Sequence, residues 1–399
     1  MRALSIIRQI CFSYLPKIHR ARTDAILAAV DGLVRGGRLS VTGLGRGLAA
    51  RTSPKHCIKR VDRLLSNPHF YAERLQIFAA LAQRLLAGVR RPVILIDWTK
   101  TVPGLWALVA GVPIGGRALP IYVEVYPERR LGNRFIQQRF LRRLRAVVPQ
   151  TCHPIVITDA GFQSPFIRQV LALGWHYVVR IRGTITMRAV GSATVTNRAG
   201  IYASATTAVK DLGTYELYAA SKNSSTRPLP TRLVLNQRLS SFQHRWWRKP
   251  RSGSARGAMQ GAKEPWLLAT SLTEESAEAV VRLYATRMQI EETFRDAKNH
   301  RFGWSFRYAS SSSARRVTLL LLLSCLGMLA ITLVGLAAEL RGMDRQYQAN
   351  TVKRRVLSWF VLGSSVVRRD EHRQLHGVLR IGRRHVSDYL RHVVEGSGN

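Results

Sequence analysis

Asp97 and Asp159 each close a short apolar run, Val93-Ile94-Leu95-Ile96-Asp97 and Ile155-Val156-Ile157-Thr158-Asp159. Such runs read as strands buried on both faces. An acid at the carboxyl end of a buried strand lies at the sheet edge where α/β sites form. A turn or helix-capping role would account for either acid alone. Two of them, on the two most buried-looking strands of an acid-poor chain, point to shared work. Paired carboxylates are hard oxygen ligands suited to Mg²⁺. Two such ions can activate a water and stabilise a leaving oxygen in phosphodiester cleavage.

A third carboxylate is sought by helical geometry. Thr273 is a plausible N-cap for one long helix running to Asn299, with Glu274 and Glu275 in its first turn. At about 100° per residue, Tyr284, Arg287, Glu291 and Lys298 fall within a stripe roughly 60° wide. Leu283, Ile290, Phe294 and Ala297 define the adjoining core face. Glu291 thus stands between cations at the rim of a core, where a metal and a phosphate could meet. The same spacing equally makes a salt-bridge ladder, Arg287 to Glu291 to Arg295. Glu292, the rival acid, points away at about 80°.

The elements that must carry these residues sit in a strongly basic chain. Its 399 residues hold 62 Lys plus Arg against 23 Asp plus Glu, a net charge of +39 with a pI near 11.5. That excludes an acidic, calcium-buffering protein, and a neutral small-molecule enzyme has no use for such a field. The hydrophobic fraction of 46% and charged fraction of 21% are those of a folded protein. The expected partner is a polyanion.

Residues 1–90 read as helical and hold 16 Lys or Arg and 4 Asp or Glu. A helix is expected over Arg22–Val34, then a short one opened by Ser40 and Thr42. Ser53-Pro54 is a strong start signal for a third. Its cations Lys55, Lys59, Arg60 and Arg63 lie beside Ile58, Val61, Leu64 and Leu65. This resembles a helix-turn-helix-like DNA module, and a solvated basic helix fits equally well. From Pro92 the pattern becomes mixed α/β. Strands are expected at 93–97, 121–125 (alternating), 155–159, 177–181 and 266–270. A basic amphipathic helix is expected from Arg134 to Val148, and another from Ser164 to Leu173. Residues 184–263 read as a β-rich insertion with a mobile basic loop. Within it, residues 217–263 contain ten Lys or Arg and no acid, including Arg245-Trp246-Trp247-Arg248-Lys249.

Val317 to Ala338 runs 22 residues without a charge. Its length suits a membrane span, and a helix buried in a large core is apolar all round too. The single occurrence, in an otherwise soluble-looking chain, favours the core helix. Cys11, Cys57, Cys152 and Cys325 form no CxxC pair, which points to a reducing compartment. Arg2, Arg8 and Lys17 interrupt any signal peptide.

Tyr284-x2-Arg287-x3-Glu291-x6-Lys298 resembles the Y-R-E-K signature of the insertion-sequence-four family of bacterial DDE transposases, within which the transposase of transposon ten is similar. Five further blocks look like that family in order. They are Ile94–Thr99, Ile157–Phe162, Glu264–Thr270, Arg287–Asp296 and Gln348–Thr351, and the likeness spans roughly residues 25–365.

The resemblance implies an α/β fold: an RNase H-like (retroviral integrase-type) catalytic core with a β-rich insertion and an N-terminal helical DNA-binding region. It implies a metal-holding, catalytic triad of Asp97, Asp159 and Glu291, with Mg²⁺ as cofactor and Mn²⁺ as substitute. It implies cut-and-paste transposition at terminal inverted repeats by strand cleavage, hairpin formation and strand transfer. Tyr284, Arg287 and Lys298 would bind phosphates, and Trp266 would stack on a flipped base; a core tryptophan is the plainer role for Trp266. Lys100 departs from relatives that carry an acid there. Expected partners are double-stranded DNA, at transposon ends and target, and a second copy in the synaptic complex, with no membrane. The expected location is the cytoplasm, at the bacterial chromosome. The expected regions are 1–90 (helical, DNA-binding), 91–185 (core), 186–265 (insertion), 266–345 (core) and 346–399 (basic, helical). A non-catalytic DNA-binding protein derived from a transposase is the alternative, and a one-span membrane protein a more distant one.

Overall fold

The computed structural model describes residues 7–8, 18–218, 228–237, 264–299, 303–306, 309–375, 386 and 388–393. Arg245-Trp246-Trp247-Arg248-Lys249 and Cys11 lie outside the described residues. The helices are α1 (Arg20–Val34), α2 (Val41–Gly47), α3 (Pro54–Ser66), α4 (Pro68–Leu85), α5 (Arg134–Val147), α6 (Ser164–Ala172), α7 (Arg198–Tyr202), α8 (Ala277–Ala285), α9 (Met288–Lys298), α10 (Ala314–Leu340) and α11 (Trp359–Arg368). The strands are β1 (Val93–Lys100), β2 (Leu105–Ile114), β3 (Arg117–Pro127), β4 (Ile155–Thr158), β5 (His176–Arg180), β6 (Thr186–Ala189), β7 (Val195–Asn197), β8 (Lys210–Tyr218), β9 (Leu229–Asn236) and β10 (Trp266–Thr270). The chain divides into two compact units, Met1–Pro154 with Thr286–Asn399, and Ile155–Ala285.

In the first unit, local chemistry starts the N-terminal helices. The Ser40 hydroxyl accepts from Gly43 N at 3.1 Å, and the Asn67 side chain accepts from His69 N and Phe70 N. Each satisfies backbone donors that a helix start leaves open. Helix α3 begins at Pro54, as its sequence predicts. Ser53 itself makes no capping bond, because its hydroxyl lies 3.3 Å from His56 Nδ1. Gly45 lets α2 and α3 touch, since a Cβ there would fall 2.6 Å from Ile58 Cα.

Strands β1, β2 and β3 form an antiparallel meander. Gly115 (φ 56°) and Gly116 (φ 87°) make the tight turn between β2 and β3, a left-handed pair that glycine adopts at little cost. Three expectations are corrected here. β1 runs on to Lys100, so Asp97 is not at its carboxyl end but inside it, opposite Val109. Trp98 and Thr99 favour extended backbone, and β2 supplies their partners. Strand β2 is not among the strands that the sequence pattern suggests. β3 spans Arg117–Pro127, buried from Ala118 to Tyr126 instead of alternating, because both its faces are covered.

Helix α10 packs on α11, β3, α1 and α4. Among the described residues it is the one helix long and apolar enough to cross a membrane, and 94% of its apolar window is buried inside the protein. Burial explains its all-round apolarity, each enclosed leucine contributing about 1.5–3 kcal/mol. Its crossing with α11 is close: a Cβ on Gly335 would fall 1.8 Å from Trp359 O.

The second unit is a mixed sheet in the order β4-β5-β10-β9-β8-β6-β7. β4 and β5 are parallel and the other pairs antiparallel. Strands β6 to β9 fall where the sequence changes to a β-rich texture.

The long helix expected over 273–299 is two helices, and the chain turns at Thr286 and Arg287 between them. The first begins at Ala277, where Ser276, not Thr273, supplies the hydroxyl that accepts from Ala279 N. At the break, Gln289 N bonds Thr286 O and Ile290 N bonds Arg287 O. These three-residue steps tighten the turn. Tyr284 therefore shares no continuous helix face with Arg287, Glu291 and Lys298.

Candidate active site

In the first unit, β1 brings Asp97 and Thr99 to one face, two residues apart on a strand of period two. Helix α9, with Arg287 at its N-cap position, meets that face. The Arg287 guanidinium spans two carboxylates. Its Nη1 lies 3.8 Å from Asp97 Oδ2, and its Nη2 lies 2.7 Å from Glu291 Oε1. The Arg287 and Asp97 side chains are 15% exposed and that of Glu291 is 40%. Asp97 Oδ1 accepts from Trp98 N at 2.7 Å. Eleven residues along, Lys298 Nζ donates to the buried Thr99 hydroxyl at 2.6 Å and lies 5.8 Å from the Phe294 ring centre.

The ladder alternative is half realised. Arg287 pairs with Glu291, but Arg295 pairs with Glu292 at 2.8 Å. Glu292, i−3 to Arg295, meets it one turn away and also lies 4.0 Å from Arg117 Nη2 of β3.

Residues to which the sequence pattern assigns no role hold α9 in place. The Thr293 hydroxyl accepts from Ala118 N and lies 2.9 Å from both Ala118 O and Gln289 O. Arg117 Nε lies 2.6 Å from Asp296 Oδ2. Burial pushes the Asp296 carboxyl above its ordinary range, and Arg117 opposes that shift. Asp296 closes a family-like block, and Arg117 follows the glycine pair that turns the chain; their pairing across 179 positions leaves no local signal.

In the second unit, Asp159 follows β4 directly. It is half-buried, and its Oδ1 accepts from Gly161 N at 2.9 Å. A Cβ on Gly161 would crowd that oxygen at 3.1 Å. Trp266 opens β10 half-buried, edge-on to Tyr284 with ring centres 4.8 Å apart. Tyr284 is 3% exposed. Arg180 donates to Glu264 O and Pro265 O, which lead into Trp266. Partial burial raises the Glu264 carboxyl, and Arg182, Arg198 and Arg180 outweigh it, leaving it below its ordinary value.

Lys55, Lys59, Arg60 and Arg63 are all exposed on α3, opposite buried Cys57, Val61, Leu64 and Leu65. Among the described residues, no three or more His, Cys, Asp or Glu gather closely enough to hold a metal ion. Yet the donor set suits one. Asp97 and Glu291 offer only hard oxygens, and both face a single cationic group, the Arg287 guanidinium. Asp159 offers a half-buried carboxylate of the same kind.

No curated protein matches the chain. Residues 112–328, more than half its length, match the transposase DDE domain family. Asp159 and Glu291 fall inside that span, and Asp97 fifteen residues before it. The mixed α/β architecture is consistent with the RNase H-like core of a DDE domain. Family members use divalent metal ions to cleave DNA and transfer its strands in transposition. On that match, the chain belongs to the transposase DDE domain family.

Proposed function

We propose that this chain is the transposase of a bacterial insertion sequence, similar to the insertion-sequence-four family and to the transposase of transposon ten. Asp97, Asp159 and Glu291 would be its D-D-E triad. The observation that carries this reading is the Arg287 guanidinium spanning Asp97 and Glu291. Two acids of a chain with net charge +39 are placed about one cation on the face where α9 meets β1.

Asp97, Asp159 and Glu291 would hold Mg²⁺, with Mn²⁺ as substitute. The bound ion supplies Lewis acidity at the scissile phosphate and a more acidic attacking water. The protein's own groups do the rest. Arg287 would take a phosphate oxygen in its planar fork once the carboxylates engage metal. Lys298, tethered at Thr99, sets a second positive charge beside the same strand. Trp266 would stack on a flipped base, since every base offers a π-face. Its half-exposed ring, edge-on to Tyr284, supports that role. Tyr284, buried beneath, would reach phosphate only at its rim or hold the Trp266 ring.

The reaction would be cut-and-paste at terminal inverted repeats. Water cleaves one strand, the freed 3′-OH attacks the opposite strand to give a hairpin, a second water opens it, and the 3′-OH joins target DNA. The exposed cations of α3 would grip the duplex outside the site. Two copies would pair to synapse two ends, in the cytoplasm at the chromosome.

The test is cleavage of duplex DNA carrying the element's own ends, with Mg²⁺ and then with EDTA. Metal-dependent nicking followed by a hairpin product is expected. Wild-type rates from D97N, D159N and E291Q would sink the assignment.

A further inference from the structure

Helix α5 and the corner that leads into it have no part in the site above. Residues 127–145 hold seven arginines and one acid, Glu128. Arg129, Arg130, Arg134 and Arg142 are exposed, and no carboxylate of the described residues lies within ion-pair distance of them. Amid these charges stand two large apolar side chains, Phe135 at 63% and Leu131 at 42% exposure. Arg134 lies over the Phe135 ring, 4.8 Å from its centre.

The corner is built rigidly. Leu131 N bonds Glu128 O, Asn133 N bonds Arg130 O, and Gly132 turns the chain at φ 69°. The Asn133 side chain accepts from Phe135 N and Ile136 N, which fixes the first turn of α5. Glu128 N bonds Gly104 O, and Lys100 Nζ lies 3.7 Å from Glu128 Oε1. The corner is thereby tied to the end of β1. A rigid corner that holds a phenylalanine largely in water forgoes the stabilisation its burial would give. Flexibility does not account for it.

Strand register measures its distance from Asp97. Asp97 pairs with Val109, and Val109 with Val123. Lys100 pairs with Trp106, and Trp106 with Tyr126, two residues before the corner. The two rows are three residues apart, about 10 Å along the strands at ~3.3 Å per residue, and β3 lies two strands across from β1, a further ~9–10 Å at ~4.8 Å per step.

We propose that the 128–135 corner is a second DNA-contacting surface, which meets double-stranded DNA outside the site at Asp97. Arg129, Arg130 and Arg134 neutralise backbone phosphates, and Phe135 rests its ring against the groove edge of the bases. Exposed Arg129, Arg130, Arg134 and Arg142 against the one acid Glu128 select a polyanion over a protein partner. The aromatic among them is the kind of apolar group that DNA-binding proteins press into a groove. This rests on DNA being the substrate, as argued above.

The test uses the full chain and a fluorescent duplex of about 30 base pairs, titrated over a range of salt. Wild type is expected to bind with affinity that falls linearly on a log–log salt plot. Replacing Arg129, Arg130 and Arg134 together by alanine should lower that slope by two to three, near 0.9 for each phosphate no longer neutralised. F135A should keep the slope and weaken binding about five- to tenfold. A charge-matched control replaces Arg341, Arg354 and Arg368, also exposed, by alanine. If the corner variant has the wild-type slope, or falls no further than the control, the corner proposal is overturned while the DNA reading stands. If wild type shows no salt-dependent binding, the transposase reading itself falls. Thermal melting of each variant confirms that it is folded.

Discussion

Two acidic sites share the three strands β1 to β3 and face opposite ways. Glu124 is in register with Leu108 and Trp98, one residue from the Asp97 row. It is 4% exposed. The Tyr122 hydroxyl donates to it at 2.6 Å, the Tyr126 hydroxyl and Arg143 guanidinium also bond it, and Arg74 Nη2 lies at 3.8 Å. Asp97 and Glu291, by contrast, meet at one guanidinium, and Glu291 is 40% exposed. A carboxylate saturated by buried donors is a structural rivet, expensive to break. Carboxylates that share a cation near solvent can exchange it for another. On the proposed reading the same residue types do different work, and burial with donor number decides which.

The largest expected effect sharpens this contrast. D97N, D159N and E291Q should each lower cleavage by more than the ~100-fold that an outer partner of a metal site costs. D97N and E291Q should keep stability within about 1 kcal/mol in urea unfolding, because neither is deeply buried. E124A should do the reverse, costing about 3–5 kcal/mol through the uncompensated buried Arg74 and the orphaned Tyr122 and Tyr126 hydroxyls. Should D97N prove as destabilising as E124A, the two sites would be alike and the comparison would fail.

R287K comes next. It keeps the charge but loses the planar fork that spans two carboxylates, so cleavage should fall about 10–100-fold with little change in melting. T293V removes the hydroxyl that joins α9 to Ala118. It should cost about 0.5–1.5 kcal/mol and lower cleavage more than stability, because α9 carries Glu291. The smallest effect at neutral pH concerns Tyr122 and Tyr126. Burial, with Glu124 beside them, pushes both phenols well above their ordinary value of 10.0. A raised folded value means that their contribution is complete below about pH 10 and is lost as pH climbs through the folded values. Y122F with Y126F should therefore flatten the alkaline limb of a stability–pH curve, while D97N leaves it unchanged.

Much of the molecule is legible locally. Asp97 and Asp159 announce themselves by ending apolar runs, and Glu291 by its spacing from Arg287 and Lys298. Caps at Ser40, Asn67 and Asn133 act within three residues, so such starts can be read from neighbours alone. Thr273 shows the limit: it has the right type for a cap, but Ser276 is the residue used. The helix break at Thr286 and Arg287 has no proline or glycine to mark it. Arg117, Thr293 and Asp296 are invisible in the sequence because each acts through a partner about 175 positions away.

The amino-acid order by itself determined the charge, the scarce acids, the strand and helix periods and the family likeness, since these depend on residue type and short-range spacing. Tertiary structure decided which acids are buried and saturated and which face a shared cation, because donor number and solvent access are properties of packing. It also decided that the 22-residue apolar run is a core helix. Its composition fits lipid as well as protein, and only the enclosing elements α1, α4, α11 and β3 distinguish the two.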